Sequence, residues 1–179
     1  MKFAKYNHLI QEKKIYDFWE KNNLFRPIVK KSKKTFSIVI PPPNITGKLH
    51  MGHALNNSLQ DVLVRFNRMK GHETLWQPGT DHAGIATQAL VEKNLEKKGI
   101  KKNDLGREKF LKKIWNWKEE SGDIILDQLK KLGCSCDWSR TRFTMDKDLS
   151  KAVIKVFVDL YNKKLIYKDK KLVNWDTAL

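Results

Sequence analysis

Cysteine is nearly absent. The 179 residues hold two, Cys134 and Cys136. A lone C-x-C pair cannot complete the four-ligand shell of a structural zinc site, and its alternation makes a mutual disulfide awkward. Two free thiols in a loop are expected, with a metal shared with residues outside the chain as the alternative. Long apolar runs are missing too. None approaches the roughly 20 residues that cross a bilayer. The opening MKFAKYNHLIQEKKIYDFWEK lacks the apolar h-region of a secretory signal, and its acidic residues argue against a transit peptide. A cytoplasmic protein without a membrane partner is therefore expected. Arginine is also scarce, at 26, 65, 68, 107, 140 and 142 only, although Lys and Arg together number 36 against 20 acidic residues. The net charge of +16 suits a polyanionic partner such as RNA. A surface dedicated to reading phosphates would use more Arg for bidentate contacts, so scattered Lys is equally read as compositional drift.

What is present suffices for a core. Hydrophobic residues make up 40% of the chain, with six Trp and eight Phe, and this length suits one domain or little more. The chain is organised around residues 36–53, FSIVIPPPNITGKLHMGH. A short apolar strand, 36–40, is stopped by Pro41, Pro42 and Pro43, which fix φ and offer no N–H to a ladder. The small-residue loop Asn44-Ile45-Thr46-Gly47 follows, and then His50 and His53 at the start of a predicted helix. A strand, a glycine-containing loop and a helix N-terminus together make a phosphate site, because unpaired N–H groups and the positive end of the dipole point at the ligand.

Around this stretch the pattern predicts a helix over 7–22 with Leu9, Ile15, Phe18 and Trp19 as its stripe, then a basic linker, 29–34. The helix after the histidines spans 52–70, with Leu55, Leu59, Val62, Leu63, Phe66 and Met69 facing the core. Gly71 suits its left-handed C-terminal cap. A second strand, 74–77, completes β-α-β, for which a parallel pair with a right-handed crossover is expected. Ligands of such sheets bind at the C-terminal strand ends, so the histidine loop and the loop 79–84, GTDHAG, meet at one edge. Helices follow over 84–98 (Ile85, Ala89 and Leu90 inward), 105–120 (Phe110, Leu111, Ile114 and Trp117) and on through Ile125, Leu129 and Leu132 to Gly133. An irregular loop, CSCDWSR, leads to a helix over 147–163, for which Thr144, Met145 and Asp146 are N-cap candidates. Its stripe is Leu149, Val153, Val156, Phe157 and Leu160. Two apolar runs, 165–167 and 172–175, read as a β-hairpin. The Trp residues are interleaved with core positions, which favours packing over stacking on RNA bases.

His50 and His53, three apart, share a helix face. No third ligand stands at a standard zinc spacing and no H-E-x-x-H occurs, so no dedicated protein metal site is expected. Imidazole N–H donors beside helix N–H groups suit charge developing on a phosphoryl group, whereas satisfied histidines are the bland alternative. Gly52 would allow a nucleotide close to the backbone. Asp81 can pair a cation or serve as a turn or cap aspartate, and Asn44 can line a site or form an Asx turn.

The segment PPPNITGKLHMGH resembles the His-Ile-Gly-His signature region of class I aminoacyl-tRNA synthetases. PPPNITG, HMGHALN, LWQPGTDHAGIATQ, GREKF, IWNWKEESG, the DWSR–RFTMD run and LVNWD are together similar to the valine-specific members of that class, over nearly the whole chain. The resemblance implies an α/β fold, the first half of a doubly wound parallel nucleotide-binding (Rossmann-like) sheet ending in the hairpin that leads toward an editing insertion. It implies a division into 1–35 (helix and linker), 36–163 (first half of the catalytic domain) and 164–179 (start of an insertion). It implies ATP-dependent activation of valine and transfer to tRNA(Val), with Mg²⁺ arriving on ATP rather than in a protein cage. His50 and His53 would act on the α-phosphate. Gly47 and Gly52 would join them in binding ATP. Pro42, Asn44 and Asp81 would hold valine, with Asp81 on its ammonium and the neighbouring His82 without an assigned role. The family's second nucleotide-binding half and Lys-Met-Ser-Lys-Ser loop do not occur in these residues, and its Asn-Trp-Asp-Pro reads Asn174-Trp175-Asp176-Thr177. The chain is therefore expected to be the N-terminal portion of such an enzyme, with the remaining part as a partner. A minimal adenylate-forming enzyme and an RNA-binding remnant are the alternatives.

Overall fold

The computed structural model describes residues 5–28 and 33–177. Residues 29–32 of the expected basic linker lie outside these. The order is α1 (His8–Lys21), β1 (Thr35–Val39), α2 (Met51–Met69), β2 (Glu73–Gln77), β3 (Gly79–Thr80), α3 (Ile85–Glu96), α4 (Lys102–Lys131), a 3-10 turn (Trp138–Arg140), β4 (Arg142–Phe143) and α5 (Lys147–Asn162). Two compact units result, Met1–Thr144 and Met145–Leu179. Among the described residues no helix is long and apolar enough to cross a membrane.

The predicted β-α-β unit forms. β1 and β2 pair in parallel from Thr35↔Glu73 to Val39↔Gln77, with α2 as the crossover. The prolines end β1 where expected, and the chain then pairs again further on. The Asp81 N–H donates to Pro43 O at 2.8 Å, and the Ile45 N–H to Asp81 O at 3.0 Å. β3 pairs with β4 in parallel, Gly79 against Arg142. Only glycine fits there, since a Cβ on Gly79 would lie 2.7 Å from Arg142 O. These short ladders carry both polar loops to one edge.

The core beneath them gathers Ile40, Ile45, Val64, Trp76, Ile125, Leu129, Cys134, Cys136 and Phe143. Burial pushes the Cys134 thiol up to about 12, and Cys136 is also raised by burial. Both are therefore protonated packing groups without nucleophilic character. A second cluster, Val91, Leu95 and Phe110, joins α3 to α4. The helix expected from 105 on toward Gly133 forms within α4, and a kink at Gly106 (φ 70°) sets off the short helical stretch that precedes it. Trp76, Trp117 and Trp138 pack inward, their indole N–H groups donating to Gln60, to Ile45 O and to the Tyr16 hydroxyl. Trp175, in the second unit, is exposed.

The largest correction concerns α2. Its predicted core stripe faces outward: Leu55, Leu59, Val62, Leu63, Phe66 and Met69 are all exposed, while Asn57 and Val64 are buried. The inner face is polar because it has partners to satisfy it. Asp61 accepts from the Ser135 N–H at 3.0 Å and hydroxyl at 2.5 Å. Arg65 donates to Gly133 O at 2.8 Å, and Arg68 to Ser135 O at 2.7 Å and Oγ at 2.6 Å. Bonds to charged groups contribute about 1.5–3 kcal/mol each when well made. Several of them, with Val64 in the core, fix the rotation of the helix.

Smaller corrections have similar causes. On α1, Leu9, Ile15 and Phe18 are exposed, and Tyr16 is the buried residue instead. Its hydroxyl donates to Cys134 O at 2.6 Å, and its ring meets those of Trp19 and Phe25. α3 buries Thr87, Val91 and Leu95, whereas Ile85 is exposed at its first position. On α4, Phe110, Ile125 and Leu129 are buried but Leu111 is exposed, as is Leu132 at the C-cap. In the second unit the α5 positions Leu149, Val153, Val156 and Phe157 are exposed. The hairpin expected at 165–175 does not form. Leu165, Tyr167, Leu172, Val173 and Trp175 are exposed there, and no strand is assigned. An isolated two-stranded hairpin without a face to cover is marginal in water.

Candidate functional site

An open cavity of about 510 Å³ lies at the N-terminus of α2. Pro42, Asn44, Gly47, His50, Gly52 and His53, all candidates from the sequence, line it. Thr46, Lys48, Asn56 and Asn57 line it as well; the first three lie within the segments PPPNITGKLHMGH and HMGHALN, but none was singled out as a site residue. Asp81 is not a lining residue. It sits one ladder away, bridged in parallel to Asn44.

The two histidines serve the helix before they serve any ligand. His50 is the N-cap of α2, and its Nδ1 accepts from the Gly52 N–H at 3.1 Å. His53 Nδ1 accepts in return from the His50 N–H at 3.3 Å. This reciprocal arrangement is a capping box built from imidazoles. It has a chemical consequence. A neutral imidazole has one donor and one acceptor, so Nδ1 acceptance places each proton on Nε2. Two Nε2–H donors then stand beside the positive end of a helix and near Lys48. The rings lie 4.0 Å apart, centroid to centroid. Burial, and then the neighbouring His50, hold His53 below the usual value of 6.5, so it is largely neutral at pH 7. Gly52 is required by this arrangement, because a Cβ there would lie 2.9 Å from His50 Cε1. The set suits an anion with several acceptor oxygens.

The second loop is built differently. Asp81 Oδ1 takes the Ala83 N–H at 3.2 Å and the Thr144 hydroxyl at 3.1 Å, with His82 Nδ1 at 3.2 Å. Ala83 is held at φ 52°, a left-handed conformation unusual for a residue with a Cβ. Thr144 reaches this loop because β4 pairs with β3, and its N–H donates to Thr80 O at 3.1 Å. The expected role of Thr144 as a cap for α5 passes to Asp146. A carboxylate about one-third exposed, braced from one side, suits a cation. Anion donors and a cation acceptor thus flank one strand bridge. Among the described residues no group of three or more His, Cys, Asp or Glu could hold a metal ion.

Comparison with known proteins agrees in kind. The family model for class I tRNA synthetases (I, L, M and V) matches residues 14–179. A valine–tRNA ligase of Pelagibacter ubique is 73% identical over 175 residues, covering 98% of this chain and 20% of its own length. One from Syntrophotalea carbinolica is 62% identical, covering 92% and 18%. The solved LeuRS–tRNA–LeuAMS ternary complex of Agrobacterium radiobacter K84 matches with a TM-score of 0.78 at 25% identity, over 97% of this chain and 20% of that one. The chain spans about a fifth of the length of these relatives.

Proposed function

The chain belongs to the class I tRNA synthetases of the isoleucine, leucine, methionine and valine group, and from that premise we propose that it carries the amino-acid and α-phosphate part of a valine–tRNA ligase site. The carboxylate of valine attacks the α-phosphorus of ATP. The P–O bond to pyrophosphate breaks, leaving valyl-adenylate, and the valyl group then passes to the terminal ribose of tRNA(Val). Nε2–H of His50 and His53 donate to the α-phosphate oxygens as charge builds there. Gly47 and Gly52 keep the approach to the cavity open for the nucleotide. Asp81 pairs the valine ammonium, with Pro42 and Asn44 beside it. Mg²⁺ comes with ATP, bound to its phosphate oxygens. The remaining part of a synthetase, including an editing insertion, would supply the groups on pyrophosphate and the rest of the valine pocket. The cytoplasm, where translation runs, is the corresponding location.

The observation that carries this reading is the juxtaposition of the two poles. The imidazole capping box faces one cavity, and Asp81 is bridged to Asn44, which lines that cavity. The specificity for valine is supported by the named relatives at 73% and 62% identity. The test is valine-dependent exchange of labelled pyrophosphate into ATP. It is run on the chain alone and on a chimaera in which the chain replaces the matching part of the Pelagibacter ubique ligase. Exchange in the chimaera that collapses with His50→Ala/His53→Ala is expected. Exchange that survives that double substitution would overturn the assignment. Exchange by the chain alone would show that it forms adenylate without the remainder.

A further inference from the structure

The loop that holds Asp81 contains one hydrogen-bond arrangement the proposed function leaves unused. Thr144 Oγ1 stands 3.1 Å from Asp81 Oδ1, 2.9 Å from the His82 N and 2.6 Å from His82 Nδ1. A hydroxyl has one proton and two acceptor positions. A carboxylate oxygen only accepts, so the Thr144 proton goes to Asp81. The peptide N–H of His82 only donates, so it takes one acceptor position. His82 Nδ1 must then donate to the other, which puts the ring proton on Nδ1 and leaves Nε2 a bare acceptor. This is the opposite tautomer to that of His50 and His53. The ring is further set by an edge contact with Phe143, which packs against Trp115. The backbone beyond it is tied by the Thr87 hydroxyl, which donates to His82 O at 2.7 Å.

Among the described residues, the contacts of the Asp81 carboxylate all fall on Oδ1. We infer that Thr144 is a positioning residue for the substrate amine: it holds Asp81 and His82 so that Oδ2 and Nε2 together accept N–H bonds from the ammonium group. The inference rests on the reading that Asp81 takes the amino-acid ammonium. An ammonium has three N–H donors, and one carboxylate oxygen cannot take them all. Two acceptors held by one hydroxyl match a primary amine better than they match a lone metal ion or an anion. Threonine at 144 follows from the count, because valine has its shape but not its oxygen.

The test has two readouts, the first on the ¹⁵N-labelled chain at pH 8.5, where an ordinary imidazole is neutral. Long-range ¹H–¹⁵N spectra report the tautomer of each histidine. His82 is expected with its proton on Nδ1, and His50 and His53 with theirs on Nε2. Valine and ATP affinities are then measured by titration for Thr144→Val and Thr144→Ser in the chimaera with the Pelagibacter ubique ligase, which supplies the rest of the valine pocket. Thr144→Val is expected to weaken valine roughly ten-fold, the loss of one bond to a charged group, and to leave ATP unchanged. Thr144→Ser, which keeps the hydroxyl, restores valine binding. A His82 proton on Nε2, or valine affinity in Thr144→Val within two-fold of the unmodified chimaera, overturns the role of Thr144. Asp81→Asn separates the two failures. If it too leaves valine binding unchanged, the ammonium reading itself falls. If it abolishes valine binding while Thr144→Val does nothing, only the positioning role falls.

Discussion

The N-terminus of α2 and the loop after β3 use the same side chain to opposite ends. In the first, two imidazoles turn Nδ1 inward to accept backbone N–H groups, so each presents an N–H outward. In the second, an imidazole turns Nδ1 toward a threonine oxygen, so it presents a lone pair. The first region is a donor set beside a helix dipole and suits phosphate. The second is an acceptor set around a carboxylate and suits an amine. What a histidine offers a ligand is decided by what its other nitrogen already does. The difference between the proposed ATP pole and the proposed amino-acid pole is therefore written in local hydrogen bonds.

The hardest way to break this comparison is to remove the donor pole. His50→Ala/His53→Ala should lower pyrophosphate exchange in the chimaera by at least 10²–10³-fold, typical for losing transition-state donors. Valine affinity should hardly move. Asp81→Asn should do the reverse, weakening valine roughly ten- to a hundred-fold and sparing ATP, since a charge-assisted bond contributes about 1.5–3 kcal/mol. If both substitutions weakened both ligands equally, the two-pole division would be wrong. Gly52→Ala sharpens the first pole. The added Cβ displaces the His50 ring, which lies 2.9 Å away. Exchange should fall about ten-fold, while thermal stability changes little, because the preference for Ala over Gly in a helix, about 1 kcal/mol, is offset by the loss of the His50 cap, also about 1 kcal/mol.

The smallest effect is on stability against pH. His53 is held below the usual imidazole value by burial and by His50. Between its folded value and about 6.5 the unfolded chain binds more protons, so stability is full above about 6.5 and declines as pH falls through that window. Urea midpoints from pH 7.5 to 5 should show the decline, and His53→Gln should flatten it. An unchanged slope in that variant would assign the decline to other groups.

Much of this was legible in the residues. Three prolines ended β1, the parallel β-α-β followed from strand, helix and strand, and the cavity gathers six of the seven site candidates. The seventh, Asp81, was placed on the right edge but lies across a bridge from the cavity. The rotation of α2 was not legible. An apolar stripe normally faces a core, and only the partners of Asp61, Arg65 and Arg68 at Gly133 and Ser135 reverse that. Those partners lie far along the chain, beyond any periodicity. Thr144 was hidden for the same reason. It reads as a cap for α5, and only the pairing of β4 with β3 brings it to Asp81 and His82. The apolar runs at 165–175 look like strands by composition, but a strand also needs a neighbour to pair with.

The central claim is that one ligand spans both poles. A non-hydrolysable valyl-adenylate analogue, titrated into the ¹⁵N-labelled chain, tests it most directly. The account predicts that a single binding event shifts the ring signals of His50 and His53 together with those of His82. It also predicts that Asp81→Asn and His50→Ala/His53→Ala each weaken that one event. Binding that moves only one group of signals, or that withstands either substitution, would contradict it.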